Sequence, residues 1–77
     1  MARVAPLEIA SELVAAVLDV EVAVGDHVEA GACVVLLESM KMEIPVLTEL
    51  AGTVEALHVV EGEVLQEGDL IATVGDA

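Results

Sequence analysis

Apolar and charged positions along this chain change places every one or two residues, and nowhere do they settle into helical spacing. Val20, Val22 and Val24 alternate with Asp19, Glu21 and Ala23, which is the period of a strand with one buried face. The segment Pro6 to Val17, which carries Ser11 and Glu12, fits a single helical turn or an initial extended strand equally well. Turn-forming pairs fall at Gly25-Asp26, Ala30-Gly31, Ala51-Gly52, Glu61-Gly62 and Gly68-Asp69. They cut the chain into short runs of the length expected in an antiparallel barrel or sandwich.

These runs repeat. A shift of 37 residues lays Val17 on Val54, Val22 on Val59, Gly25 on Gly62 and Gly31 on Gly68, with Val20 on Leu57 and Val34 on Ile71 as apolar matches. Two glycines with the same separation in both halves weigh more than matching valines, because glycine marks backbone angles that other residues avoid. The expectation is a single domain over residues 1–77, with halves at about 13–37 and 52–74.

Between the halves lies Glu38-Ser39-Met40-Lys41-Met42-Glu43-Ile44-Pro45. If Val34 to Leu37 and Ile44 to Leu47 are the arms of a hairpin, its tip is residues 40–41. Turn chemistry does not ask for Met-Lys there, since tight two-residue loops favour Asn-Gly or Asp-Gly. The same register sets Glu38 opposite Glu43, a repulsive cross-strand pair. Local rules broken at one place mark a candidate functional site.

Composition narrows the fold further. With 77 residues, 57% hydrophobic and without Phe, Tyr or Trp, any core must be close-packed aliphatic side chains, and the frequent valines favour strands. One cysteine, Cys33, cannot form an internal disulfide, and no Cys/His cluster has metal-ligand spacing. The longest uncharged central stretch, Ala30 to Leu37, is too short to span a bilayer. No apolar leader pattern follows Arg3, which together with the lone cysteine points to a reducing cytoplasm. Fifteen acids against Arg3 and Lys41 give a net charge of −13, a surface that repels nucleic acid and anionic membranes and suits basic protein partners.

Lys41 is the only lysine, and Met40 and Met42 flank it. Glu38-Ser39-Met40-Lys41-Met42 resembles the E-A-M-K-M signature of biotinyl domains, in which the central lysine carries covalent biotin. Val22-x-x-Gly25-Asp26-x-Val28-x-x-Gly31 upstream, and Ala51-Gly52-Thr53-Val54 with Gly62 to Leu70 downstream, look like that family's glycine turns. The resemblance implies an all-β, flattened antiparallel barrel or sandwich of two four-stranded sheets with pseudo-two-fold symmetry. The biotinyl hairpin would lie at one end and the termini at the other.

In function, the resemblance implies a non-catalytic biotin carboxyl carrier. A biotin protein ligase would modify Lys41, with Glu38, Met40 and Met42 as recognition residues. A biotin carboxylase would then load the biotin using ATP and bicarbonate, and a carboxyltransferase would pass the carboxyl group to an acyl-CoA or similar acceptor. Ser39 departs from the family's usual alanine, Ala15 from a frequent glycine, and Thr48-Glu49 from Ala-Pro. No room exists between Val24 and Val28 for the protruding loop of some acetyl-CoA carboxylase carriers, and no Ala/Pro-rich linker precedes the domain. This resembles a short, free-standing carrier, monomeric when isolated.

Other readings stay in view. A lipoyl carrier shares the fold but resembles D-K-A at the tip, and an unmodified acidic interaction module would not need Lys41 at all. Cys33, inside an apolar run, reads as a buried and inert thiol. His27 and His58 read as isolated surface histidines rather than metal ligands, and Glu38 with Glu43 is no acid/base pair in a chain so rich in carboxylates.

Overall fold

A computed structural model describes residues 6–75. Eight strands run through it: β1 (Leu7–Ala10), β2 (Ala15–Val20), β3 (His27–Val28), β4 (Cys33–Ser39), β5 (Met42–Leu47), β6 (Gly52–Leu57), β7 (Val64–Leu65) and β8 (Leu70–Gly75). They form two antiparallel four-stranded sheets, ordered β1-β8-β6-β3 and β5-β4-β2-β7. Pro6 to Val17 holds no helical turn but two strands, β1 and the start of β2, which lie in different sheets and are joined through a bend at residues 12–13. The placement of the two termini lies outside the described residues.

The sheets face each other across a wholly aliphatic core. Val17, Leu37 and Leu65 from one meet Val54, Ile71 and Val74 from the other, each at most 2% exposed. Between edge strands β1 and β5 an open groove of about 330 Å³ is lined by Leu7, Ile9, Leu13, Ile44 and Val46. The sheets therefore form a sandwich rather than a closed barrel.

Pseudo-two-fold symmetry holds down to single hydrogen bonds. Val28 pairs with Gly52 as Leu65 pairs with Ala15, and Leu7 pairs with Val74 as Ile44 pairs with Leu37. In the turns, the Gly25 N–H donates to the Val54 carbonyl and the Gly62 N–H to the Val17 carbonyl, each at 2.8 Å. Both glycines sit at positive φ, 96° and 88°, where a side chain would be strained. Ser11 and Thr48, the two buried polar side chains among the described residues, are equivalents as well. Ser11 Oγ donates to the Leu13 carbonyl at 2.6 Å and Thr48 Oγ1 to the Leu50 carbonyl at 2.8 Å, so burial leaves neither hydroxyl unsatisfied. Thr48-Glu49 thus makes its turn by a side-chain bond.

Two details depart from the sequence reading. The alternation proposed for Val20 to Val24 stops early: β2 ends at Val20, Val22 still packs on the core, and Val24 lies in the turn with 61% exposure. The bond from Gly25 to Val54 starts the turn before the pattern runs out. Ala51-Gly52 is not a turn either, because Gly52 opens β6 and the bend falls at residues 49–50. Its glycine answers to crowding, since a Cβ there would collide with the Gly75 carbonyl oxygen and press on Val74.

These causes separate experimentally. Gly68 has φ +93° but open space around a virtual Cβ, whereas Gly52 has no such φ and no space. Gly68→Ala should cost about 1 kcal/mol of unfolding free energy in urea titrations, and Gly52→Ala more than about 2 kcal/mol. Equal costs would refute the packing explanation.

Candidate functional site

The β4–β5 hairpin is built by six paired positions from Cys33↔Leu47 to Ser39↔Met42. Only Met40 and Lys41 remain to turn the chain, and both take positive φ, 53° and 65°. Of the two kinds of two-residue loop that match the right-handed twist of their strands, this is type I′, the one with both central residues left-handed. They are the sole non-glycine residues with positive φ among the described residues. Each costs roughly 1 kcal/mol or more without glycine to relieve it. The strain is held by the ladder and by Leu37, fully buried just below the turn.

At the tip the side chains point into water. Met40 is 91% and Met42 64% exposed, and Lys41 is exposed between them. Two large apolar side chains left in solvent are not core filler. Glu38 and Glu43 stand directly opposite one another, both exposed, as the register requires. The sequence-predicted residues Glu38, Met40, Lys41 and Met42 are therefore all on one hairpin.

One contact escaped sequence reasoning. Ser39 Oγ donates to the Val14 carbonyl at 3.1 Å, tying the hairpin just below its tip to the loop between β1 and β2. An alanine at this position could not make it. The partners are 25 residues apart, so no local pattern reveals the bond.

The remaining candidates lie elsewhere. His27, on β3 in the other sheet, meets Glu29 at 2.7 Å, and His58 reaches Thr73 at 3.5 Å. Among the described residues no group of three His, Cys, Asp or Glu could hold a metal ion. Cys33 is not the fully buried thiol expected from its apolar run. A register shift between Cys33 and Val35 turns Val34 and Val35 inward and leaves Cys33 half-buried, opposite exposed Leu47. Partial desolvation, reinforced by the Glu21 carboxylate, pushes its thiol pKa up.

An all-β sandwich that presents one primary amine on a strained two-residue hairpin has the form of an attachment module: a rigid base with a single modifiable tip. The chain matches the model of the family described as "Biotin-requiring enzyme", the biotin- and lipoyl-attachment domains, over residues 7–74, and it belongs to that family. It is 52% identical over 67 residues to the "Biotinylated protein TB7.3 homolog" of Mycobacterium leprae, covering 87% of this chain and 94% of that one. Against the "Biotin carboxyl carrier protein" of Streptococcus mutans it is 41% identical over 58 residues, 75% of this chain and 45% of the relative. Among solved structures, the urea carboxylase of Kluyveromyces lactis superposes with a TM-score of 0.85 at 32% identity, covering 96% of this chain and 6% of that large enzyme.

The residues present fit a covalently attached group. The exposed amine is open to acylation, and the exposed methionines leave the tip free of packing that a bulky substituent would disturb.

Two outcomes follow from the geometry. Met40→Asn, which tolerates positive φ better and loses no buried contact, should raise unfolding free energy by about 0.5–1 kcal/mol in denaturant titration; a loss of stability would mean the turn is not strained. Cys33, with its raised pKa, should react with iodoacetamide at pH 8 more slowly than a free cysteine, because less of it is thiolate. A faster rate would contradict the desolvation.

Proposed function

We propose that Lys41 is the point of biotin attachment and that the chain is a non-catalytic carrier serving a biotin-dependent carboxylase. The observation that carries this reading is the exposed Lys41 at the strained tip of the β4–β5 hairpin, in a chain of the biotin-requiring family. Relatives named as a biotinylated protein and as a biotin carboxyl carrier protein support the same chemistry.

The chain's own part in that chemistry is small and specific. In its neutral form the Lys41 Nζ attacks the acyl carbon of biotinyl-adenylate on a ligase; a C–N bond forms, the acyl–phosphate C–O bond breaks, AMP leaves, and the amine gives up a proton. The amide product removes the site's one positive charge, so afterwards the tip is an apolar, uncharged stalk. Met40 and Met42, exposed on either side, supply soft apolar surface by which the ligase reads the tip, and Glu38 supplies an acidic contact beside it. Ser39, by its bond to Val14, keeps the tip end of the hairpin from tilting and so fixes the direction in which Lys41 leaves the protein. When bound, biotin supplies a ureido nitrogen that accepts and releases a carboxyl group.

Tethering then does the rest. A group held by one side chain on a rigid base is presented at high local concentration to whichever active site holds the domain, and a biotin carboxylase and a carboxyltransferase are the two such sites. Residues 1–77 act as one domain in this reading, monomeric and cytoplasmic, without nucleic-acid or membrane partners. The net charge of −13 supports the lack of nucleic-acid and anionic-membrane partners, and among the described residues no helix is long and apolar enough to cross a membrane.

Lys41→Arg keeps the charge and the hairpin length but removes the nucleophile. Co-expressed with a biotin ligase, the wild-type chain should be captured by streptavidin and Lys41→Arg should not, while both unfold at the same temperature within about 1 °C, as a surface substitution of this kind allows. Capture of the variant at wild-type level would place the modification elsewhere.

A further inference from the structure

The two sheets occupy equivalent positions, so their outer faces form an internal comparison in which backbone and register are held constant and only side chains differ. On the sheet that carries the hairpin, the outward positions include Ala16 and Leu18 on β2, Leu36 on β4, Pro45 on β5 and Val64 on β7. Ala16 pairs with Val64 and Leu36 with Pro45. Their equivalents on the other sheet are Thr53, Glu55, Thr73, Glu8 and His27, with the matching pairs His27↔Thr53 and Glu8↔Thr73. Five apolar residues therefore face outward where the other sheet has five polar or charged ones, and the acids Asp19, Glu38 and Glu43 stand among them where the other sheet has Ala56, Gly75 and Pro6.

Core packing does not account for the difference. Leu18 and Leu36 project away from Val17 and Leu37, which are buried, and they are not among the side chains packed on the core. Val64 is 60% exposed. Single exposed aliphatic residues are ordinary, but a group of them interspersed with acids on one outer face only of a symmetric fold marks an interaction surface.

Charge selects the occupant. Glu38, opposite Ala16, and Glu43 beside it carry acid on the side toward the tip, Asp19 stands opposite Leu36 within the patch, and Glu21 follows toward the opposite end. A second copy would bring another −13 and oppose acid to acid, and an anionic membrane would be repelled in the same way. A protein surface of aliphatic side chains interspersed with Lys/Arg is complementary in both respects. Leu36 and Pro45 lie on the hairpin's own strands, three pairs below the closing pair Ser39↔Met42, so a partner seated on the patch lies on the sheet that carries Lys41.

Resting on the carrier reading above, we propose that the outer face of the β5-β4-β2-β7 sheet, centred on Leu18, Leu36 and Val64, is the docking surface for a carboxylase component whose matching surface is aliphatic with interspersed basic side chains. The opposite sheet is the free face.

The protein's own symmetry supplies the test. Leu18→Glu/Leu36→Thr installs the side chains of the other sheet, Val64→His does so at an exposed edge strand where folding is not at stake, and Thr53→Ala is the control on the free face. Each is measured against the biotin carboxylase and carboxyltransferase components of the same organism. The readouts are the dissociation constant of the unmodified chain by biolayer interferometry, the KM for the biotinylated chain, and ligase modification. Both patch variants should bind about tenfold more weakly and raise KM with kcat retained, should still be modified, and should lose affinity further as salt rises, with Thr53→Ala unchanged. Unaltered binding by both Val64→His and a folded Leu18→Glu/Leu36→Thr would overturn the proposal, as would loss of ligase modification with binding to both components intact. A wild-type chain that binds these components but is never biotinylated would instead strike the carrier reading and leave the docking surface standing.

Discussion

The backbone of Met40 and Lys41 takes a left-handed turn where the β4–β5 ladder closes at Ser39↔Met42 and leaves two residues to reverse the chain. Everything distinctive about the site follows from that closure. A turn this tight cannot fold its side chains back on the strands, so Lys41 and its methionine neighbours stand in water, and the amine has no competing partner within the hairpin. The strain can persist only because the ladder beneath it is over-determined. β4 is an interior strand paired on both sides, and Leu37 beneath the turn is completely buried.

Symmetry explains how so small a chain provides this rigidity. Each half contributes a strand, a glycine turn, a short strand, a second glycine turn and a strand, and the halves exchange hydrogen bonds reciprocally, as between Gly25 and Val54 and between Gly62 and Val17. The core is thus shared by both halves, and neither could bury its apolar face alone. The hairpin is where the symmetry breaks: β4 and β8 are equivalents, but β4 runs on into β5, and this link carries the chemistry. The outer faces break it too, with Leu36 on one and Thr73 on the other.

Much of this was legible in the sequence because the relevant constraints are local. The glycine pairs revealed the repeat, the Glu38–Glu43 register followed from counting inward from the tip, and Lys41 stood out as the only lysine at a place where turn chemistry failed. What was not legible depends on long-range geometry. A shift between Val17 and Asp19 lets Leu18 and Asp19 both face outward, and another between Cys33 and Val35 turns two valines inward together; simple alternation cannot foresee either. Gly52 reads as a turn glycine in sequence, yet it is set by the Gly75 backbone across the sheet. The Ser39–Val14 bond likewise joins segments that only the fold brings together.

The account depends on the tip amine of this hairpin being the group that is modified. Tandem mass spectrometry of the chain purified from biotin-replete cells should find one biotinoyl increment, on the peptide containing Lys41 and on that side chain alone. A lipoyl increment, or a biotinoyl group on the N-terminal amine with Lys41 free, would contradict it.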